Sequence, residues 1–314
     1  MVSFLIRRLA SGIVLIFAVL TLIFLAIHTV PGDPAYQLAG GDSGVTEEGI
    51  ERIRQDLGLD RPILVQYVDY LGGVLRGDLG TSFTSGIAVT ESIMKRLPAT
   101  LELIAVAAII AVGLGVPFGA WAARRRGSVD AAMSALTSLA LAVPVYVVGA
   151  LGVYLFAVTL RLLPAGGLDP LTDPVDHLRS LVMPAVALAL GFLAIVARMS
   201  RASVADTLER DWVRTATSIG LSPRRVYRRH VLRNSLTPIA TVIGLEVGSF
   251  LGSSVIVERV FNYPGLSSLL IDGVSGRDYP VVQGVVIVIS LLFVVINTIV
   301  EIVYGILDPR VRLS

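Results

Sequence analysis

Apolar residues are concentrated in six long runs that alternate with more polar segments. The runs cover residues 9–30, 100–123, 131–160, 181–199, 239–257 and 281–307. Each approaches or exceeds the roughly 20 residues that an α-helix needs to cross the hydrocarbon core of a bilayer. The pattern therefore predicts an all-α integral membrane protein with six transmembrane helices.

Prolines modify several of these predicted spans. Proline lacks a backbone N–H and its ring clashes with the preceding turn, so we expect a kink at Pro144 in the third span and a weaker one at Pro117 in the second. Pro184 and Pro238 fall near the predicted starts of the fourth and fifth spans, where proline is tolerated.

Composition agrees with a membrane protein and excludes several kinds of site. Only 16% of the 314 residues are charged and 54% are hydrophobic, which leaves too little polar surface for a soluble globule. Without cysteine, the chain has no disulfide, thiolate metal site or cysteine nucleophile, and its three histidines lie far apart in sequence. The single lysine, Lys95, is followed by Arg96 and Leu97, so no phosphate-binding loop of the Walker A type can form.

Basic residues are distributed unevenly between the two predicted sides of the membrane. With the amino terminus in the cytoplasm, the inside segments carry 16 basic residues and the longer outside segments carry 10. The positive-inside rule then predicts that both termini are cytoplasmic. The first apolar run, preceded by Arg7 and Arg8, is longer than a signal-peptide core and predicts an uncleaved anchor.

The chain is accordingly divided into residues 1–30 (amino terminus and first span), 31–98 (external insert) and 99–314 (five-helix core). Thr46 is a candidate cap for a first helix in the insert, and Pro62 opens a second. Glycines then indicate irregular backbone at Gly77, Gly80 and Gly86. The insert is either a packed cap on the external face or part of a docking surface for a delivery protein.

Residues 201–234, between the fourth and fifth spans, predict a short basic helical hairpin on the cytoplasmic side. A first helix running from the span to about Ile219 places Ala216 and Gly220 one turn apart on one face, where a partner can approach closely. Gly220 ends this helix, and Ser222 and Pro223 begin the next. On that second helix Val226, His230 and Val231 are expected to share a face, with arginines around the rest.

Three interpretations of this hairpin compete. It could anchor the protein against anionic lipid headgroups. It could be a DNA-reading helix-turn-helix, but a duplex would have to fit between membrane spans, so we expect no nucleic-acid partner. It could be a rigid lever inserted into a soluble partner, which the small residues and the short connections to both spans favour.

The hairpin sequence resembles a known motif. Residues 211–216, DWVRTA, followed by Gly220, resemble the EAA loop of ABC-importer permeases. The run TATSIGLS at 215–222, HVLRN at 230–234 and Pro238 resemble the dipeptide and oligopeptide branch in particular. The general motif has a proline thirteen residues after the glycine; Arg233 stands there instead, a departure that the peptide branch shares.

Further fragments extend the resemblance over nearly the whole chain, to the permease that has a large insert after its first helix. They are FLIRRL at 4–9, PGDP at 31–34, GLD at 58–60 with Pro62, QY at 66–67, GDLG at 77–80, Phe261 with PGL at 264–266, RDYP at 277–280 with QG at 283–284, and DPR at 308–310.

The resemblance implies a type I ABC-importer permease in the bacterial plasma (inner) membrane. Its partners would be a second, homologous permease, one or two cytoplasmic ATPases and an external substrate-binding protein. ATP and Mg would bind the ATPases, so this chain would be non-catalytic and would hold no cofactor or metal. The hairpin would dock in a groove of an ATPase through the coupling residues Asp211, Thr215, Ala216, Gly220 and Leu221.

Acidic residues in or near the spans are candidates for the translocation path, because ionisable groups are costly there. Glu102 and Glu301 lie close to predicted membrane interfaces, whereas Glu246 lies about eight residues into its span; Glu246 and Pro144 are the predicted path residues. Nickel complexes, glutathione and haem are alternative cargoes for the same fold. A proton-coupled carrier using Glu246 is a different class, and no cluster of nucleophile and base indicates an intramembrane enzyme.

Overall fold

The structure of the chain is a computed structural model that describes residues 2–29, 35–36, 39, 46–125 and 127–307. For residues 2–9, 245, 247, 301 and 303–307 the description covers the backbone only. The fragments at 31–34 and 308–310 and the side chain of Glu301 therefore lie outside the described residues.

Helices make up most of the described chain, in which the only β-pairing is an isolated bridge between Thr81 and Ala88. The helices are α1 (Val2–Thr29), α2 (Glu47–Asp56), α3 (Ile63–Leu75), α4 (Val89–Arg124), α5 (Ser128–Ala142), α6 (Val145–Gly152, continued by a π-helical segment Val153–Thr159), α7 (Pro174–Glu209), α8 (Asp211–Ser218), α9 (Pro223–Val226, continued by a π-helical turn Tyr227–Val231), α10 (Leu232–Val247), α11 (Ser249–Val260), α12 (Leu266–Ser275) and α13 (Tyr279–Leu307).

Four segments within the described ranges are each long and apolar enough to cross a bilayer: Ala10–Thr29, α4, α7 and Tyr279–Val300. Two more spans result if each of two bent helix pairs counts as one. α5 and Val145–Thr159 are bent by 97°, and Pro223–Gly244 and Ser249–Val260 by 58°. The all-α membrane fold is confirmed, and the predicted number of six holds when both bent pairs are spans.

The kink expected at Pro144 is a full break. Val143 is extended (φ −84°, ψ 120°), as the residue before a proline favours, and α6 begins just after Pro144. By contrast, α4 continues through Pro117 as one helix.

The placement of Pro184 and Pro238 near helix starts was wrong, because both helices begin earlier than the apolar runs. α7 begins at Pro174, where the Asp173 carboxylate accepts hydrogen bonds from the N–H groups of Val175 and Asp176, both at 3.2 Å. This cap starts the helix ten residues before Pro184. α10 begins at Leu232, so Pro238 is also inside a helix.

The described chain forms two compact units, residues 1–100 with 264–294 and residues 101–263 with 295–314. In the first unit, buried Asp278 fastens the loop that follows the insert helices. Its carboxylate accepts hydrogen bonds from the Ser82 hydroxyl (2.5 Å), the Phe83 N–H (3.1 Å), and the Thr84 hydroxyl (2.9 Å) and N–H (3.2 Å). Four donors compensate the burial of the charge.

The insert helices of this unit lie where the sequence indicates. Thr46 precedes α2 in the cap position, although its side chain makes no capping hydrogen bond, and α2 contains no buried residue. The irregular backbone predicted from the glycines is confirmed by positive φ angles at Gly77 (77°), Gly80 (80°) and Gly86 (69°).

In the second unit, α4 and α7 approach each other closely at Gly119. A Cβ atom on Gly119 would lie 2.1 Å from the carbonyl oxygen of Ala197. Gly115, one turn earlier, is similarly close to the carbonyl of Leu193, at 3.0 Å. This spacing of small residues lets two helix backbones touch.

Candidate functional site

The hairpin begins where the helical conformation is interrupted, between α7 and α8. The sequence predicts one helix running to about Ile219, but Arg210 is extended (φ −68°, ψ 143°) and separates α7 from α8. That prediction was wrong, because the apolar periodicity carries no signal of the turn at Arg210. The short helix α8 is thus a separate element.

Gly220 ends α8 through backbone geometry. Its φ of 92° is left-handed, and the Leu221 N–H bonds to the Ala216 carbonyl (3.2 Å) while the Gly220 N–H bonds to the Thr217 carbonyl (3.1 Å). These two bonds make up a Schellman motif, in which the residues at the positions of Ala216 and Leu221 commonly touch. Nothing lies within 4 Å of the position of a Cβ on Gly220.

The five predicted coupling residues are divided between two surfaces. Asp211, Thr215 and Gly220 are exposed, whereas Ala216 and Leu221 are partly buried. The latter two pack against the hairpin core, defined by Ala120, Val204, Val213, Val226 and Val231. Ala216 and Gly220 are therefore not brought together on one open face: Ala216 faces the core, and Gly220 is accessible.

The second helix presents a different set of residues to the core than the sequence predicts. Val226 and Val231 are buried, at 2% and 0% exposure, but His230 is exposed. The turn Tyr227–Val231 is π-helical, so the residue five positions after Val226, not four, lies above it. The predicted common face is therefore correct for Val226 and Val231 and wrong for His230.

Tyr227 connects the hairpin to the end of α4, a contact that the sequence analysis missed. Its hydroxyl donates a hydrogen bond to the Ala120 carbonyl (3.0 Å), and the Arg124 guanidinium lies 4.4 Å from the centre of its ring. Hydroxyl contacts between Ser235 and Ser203 or Thr207 tie α10 to α7 in the same region. The signal in the sequence that could have indicated this contact is Tyr227 itself, an aromatic residue within an arginine-rich run.

The outer surface of the second hairpin helix is strongly basic. Within the described part of the chain, its exposed arginines form no ion pair with an acidic residue. They are Arg224, Arg225, Arg228 and Arg229, and the exposed Arg233 follows at the start of α10. The hairpin therefore offers a positive face to whatever lies beside it.

The two predicted path residues, Pro144 and Glu246, line one cavity of approximately 310 Å³. Its walls come from the α5–α6 break, the middle of α7 around Gly191, and the α10–α11 break. Glu246 is half-buried, and the Ser249 hydroxyl donates to its backbone carbonyl at 2.6 Å. Two helix breaks thus meet at a cavity that contains one carboxylate.

Glu102 lies elsewhere and has a partner that the sequence did not reveal. Its carboxylate is 2.8 Å from Nε2 of His177, whose Nδ1 is 2.6 Å from the Asp169 carbonyl. The two residues are 75 positions apart, so no local pattern could have found the pair. Among the described residues, no group of three His, Asp or Glu side chains is arranged to hold a metal ion.

Comparison with known proteins identifies the family. Residues 115–313 match the model of the binding-protein-dependent transport system inner membrane component, and residues 1–104 match the N-terminal model of the same membrane component. The chain belongs to this family. The family predicted from the resemblance is thereby confirmed.

Relatives of this permease align over almost their full length. The present chain is 38% identical to a probable peptide ABC transporter permease, y4tP, of Sinorhizobium fredii, over 98% of this chain and 99% of that protein. It is 40% identical to a putative peptide transport system permease of Brucella abortus and 36% identical to the dipeptide transport system permease DppB of Escherichia coli, with 99% of both chains covered in each case.

The permease also resembles a solved structure, an inward-facing form of the MetNI methionine ABC transporter. The TM-score is 0.58 at 16% identity, over 70% of this chain and 97% of the other. At this identity the likeness shows the fold, which is that of a type I ABC-importer permease.

Proposed function

We propose that this chain is one of two different permease subunits of a bacterial ATP-driven importer for short peptides. The observation that carries the proposal is the full-length similarity, at 36–40% identity, to permeases whose names specify peptides or dipeptides. The arginine distribution supports an orientation with both termini in the cytoplasm. The protein would lie in the plasma (inner) membrane.

The hairpin is proposed to receive movement from a cytoplasmic ATPase. Its exposed residues Asp211, Thr215 and Gly220 would contact the ATPase, while Ala216 and Leu221 hold α8 against the hairpin core. Because that core includes residues of α4 and α7, displacement of the hairpin would move both spans. ATP and Mg would bind the ATPases, and this subunit would contribute no catalytic group or cofactor.

The cavity beside Pro144 and Glu246 is proposed as part of the translocation path. Non-helical backbone is tolerated at membrane depth where it lines a cavity, and two helix breaks adjoin this one. Transporters commonly place substrate sites at such interrupted helices. The second permease would complete the path, and an external binding protein would deliver cargo to the side that carries the insert.

Uptake by the complete complex tests this proposal. The two permeases, the ATPases and the binding protein are reconstituted in liposomes, and ATP-dependent uptake is measured for dipeptides, longer peptides, glutathione, haem and nickel. We expect uptake of peptides in preference to the other cargoes. Preferential uptake of another cargo would refute the peptide assignment, and uptake driven by a proton gradient without ATP would indicate a secondary carrier.

Glu246→Ala tests the path in the same assay. Removal of the one carboxylate of the cavity should lower peptide uptake by at least about tenfold, the loss expected for one charge-assisted contact, with assembly unchanged. The matched control is Glu48→Ala, an exposed residue of α2. Equal uptake by the two variants would assign Glu246 a structural role only.

A further inference from the structure

A second cavity lies within the first unit, separate from the one that contains Glu246. It has a volume of approximately 420 Å³ and is lined by residues of α1, α2, α3, the loop after α3 and the start of α13. Small-molecule sites in proteins have volumes of about 300–1,000 Å³. The cavity is therefore large enough for a small organic ligand.

One wall of this cavity is aromatic. Phe24 and Tyr70 stack with ring centres 5.8 Å apart, and Tyr279 lies 6.2 Å from Phe83 and 6.1 Å from His28. All five rings line the cavity. Such a surface favours an apolar or aromatic group on the ligand.

The hydroxyl of Tyr70 is buried at this wall and has no hydrogen-bond partner among the described residues. Burial, with a smaller contribution from neighbouring Tyr67, raises the pKa of Tyr70, so the group stays protonated and can donate. Buried polar groups nearly always have a partner. The oxygen itself is closed off from the cavity, so the part of Tyr70 that a ligand would contact is the ring and not the hydroxyl.

Charges of both signs stand at the edge of the cavity. Arg61 and Asp69 already pair with each other at 3.2 Å. Asp56 and Arg76 also line the cavity, are exposed, and make no ion pair within the described chain. Asp78, the third carboxylate of the lining, accepts a hydrogen bond from the Gly80 N–H at 2.9 Å. A ligand with one positive and one negative end can contact both Asp56 and Arg76.

We propose that this cavity binds a short zwitterionic peptide, with its ammonium group at Asp56, its carboxylate at Arg76 and an apolar side chain on the aromatic wall. The Tyr70 ring forms part of that wall. The choice of ligand rests on the proposed peptide cargo. The site would be a second contact for the cargo, outside the Glu246 cavity.

Binding of tritiated alanyl-phenylalanine tests the inference. The complex, in lipid nanodiscs without ATP or binding protein, is analysed by equilibrium dialysis against the free dipeptide and its N-acetylated and C-amidated forms. We expect saturable binding of the free dipeptide and at least tenfold weaker binding of each blocked form. Asp56→Asn and Arg76→Gln should each weaken binding of the free dipeptide tenfold or more, and Tyr70→Ala, which removes one ring of the aromatic wall, several-fold.

The matched controls are exposed residues of the same unit that do not line the cavity. They are Asp60→Asn for Asp56→Asn and Arg52→Gln for Arg76→Gln, both exposed sites. A third variant, Glu246→Gln, should leave this binding intact. The inference is overturned if no binding occurs, if the Asp56 and Arg76 variants bind like their controls, if Glu246→Gln alone abolishes binding, or if the dipeptide is retained only with the binding protein present.

Uptake separates this inference from the proposed function. A complex that imports peptides in liposomes but fails the dialysis test keeps the function and loses the second site. A complex that binds the dipeptide at Asp56 and Arg76 but imports another cargo keeps the site and loses the peptide assignment.

Discussion

Gly220 has a left-handed backbone conformation that non-glycine residues adopt at a cost of about 1–2 kcal/mol. Gly220→Ala should therefore lower the free energy of unfolding by about that amount, because the strain falls at the end of α8. Gly220→Asn should cost less, because asparagine tolerates this region. Thermal unfolding of the purified complex measures both, with Gly252→Ala as the control, since Gly252 is helical and has open space around its Cβ position.

The same variants separate two roles of Gly220 in coupling. If the residue serves only to end α8, the asparagine variant retains substrate-stimulated ATPase activity. If an ATPase must approach the bare backbone, alanine, asparagine and bulkier residues all abolish stimulation. Full stimulation with a bulky residue, such as Gly220→Trp, would remove Gly220 from the coupling surface.

Asp278 is a second residue with a testable contribution. Asp278→Asn replaces one carboxylate oxygen by an N–H₂ group that faces donors from Ser82 and Thr84. We therefore expect the free energy of unfolding to fall by about 3 kcal/mol. Limited proteolysis should cut the loop near Thr84 faster in this variant. Asp60→Asn, at an exposed position, should be cut like the unmodified protein; equal rates for both would contradict the fastening role.

Residue-level prediction succeeded where the constraint is local and failed where it depends on packing. The stop at Gly220 follows from glycine's freedom at positive φ. The burial of Ala216 depends on Val213 and Val226, which come together only after the chain has folded back. The Glu102–His177 pair requires two spans to be neighbours, which no spacing within either span indicates.

Among the elements, the hairpin and α4 are joined by the side chain of Tyr227. Tyr227→Phe removes the hydrogen bond to Ala120 and should lower stability by about 1 kcal/mol, the net contribution of one neutral hydrogen bond. Tyr227→Leu also removes the ring beneath Arg124. We expect transport per ATP hydrolysed to fall modestly in the first variant and severalfold in the second.

The matched control for Tyr227 is Tyr154→Phe, at an exposed tyrosine of the segment that continues α6. Uptake and ATP hydrolysis are measured on the same liposomes, so that a loss of assembly, which lowers both, is distinguished from a loss of coupling. An unchanged ratio in Tyr227→Leu would show that the hairpin moves α4 through other contacts.

The apolar runs predict that the membrane helices exist, but they do not predict the residues at which those helices begin and end. α7 begins at Pro174 because Asp173 caps it, and it ends at Glu209 because Arg210 is extended. Both ends are polar, so a hydropathy pattern does not register them. Similarly, the break at Pro144 was expected as a kink, but its angle of 97° depends on what packs around it.

At the scale of the whole molecule, the orientation can be tested because the sequence contains no cysteine. Ser85→Cys, in the loop after the insert helices, should react with a membrane-impermeant maleimide in intact cells or spheroplasts. Ser218→Cys, in the hairpin, should react only after permeabilisation; both positions are exposed. The opposite labelling pattern would invert the topology and remove the hairpin from the ATPase side.

The contact at Gly119 has a mechanical consequence. Because the backbones of α4 and α7 touch there, no layer of side chains separates them that could slide or repack. Gly119 is adjacent in sequence to Ala120, the residue that Tyr227 holds. A force applied at that point would displace α4 and α7 together as one rigid body. The deformation needed to open a passage would then occur in the two bent helix pairs that line the Glu246 cavity.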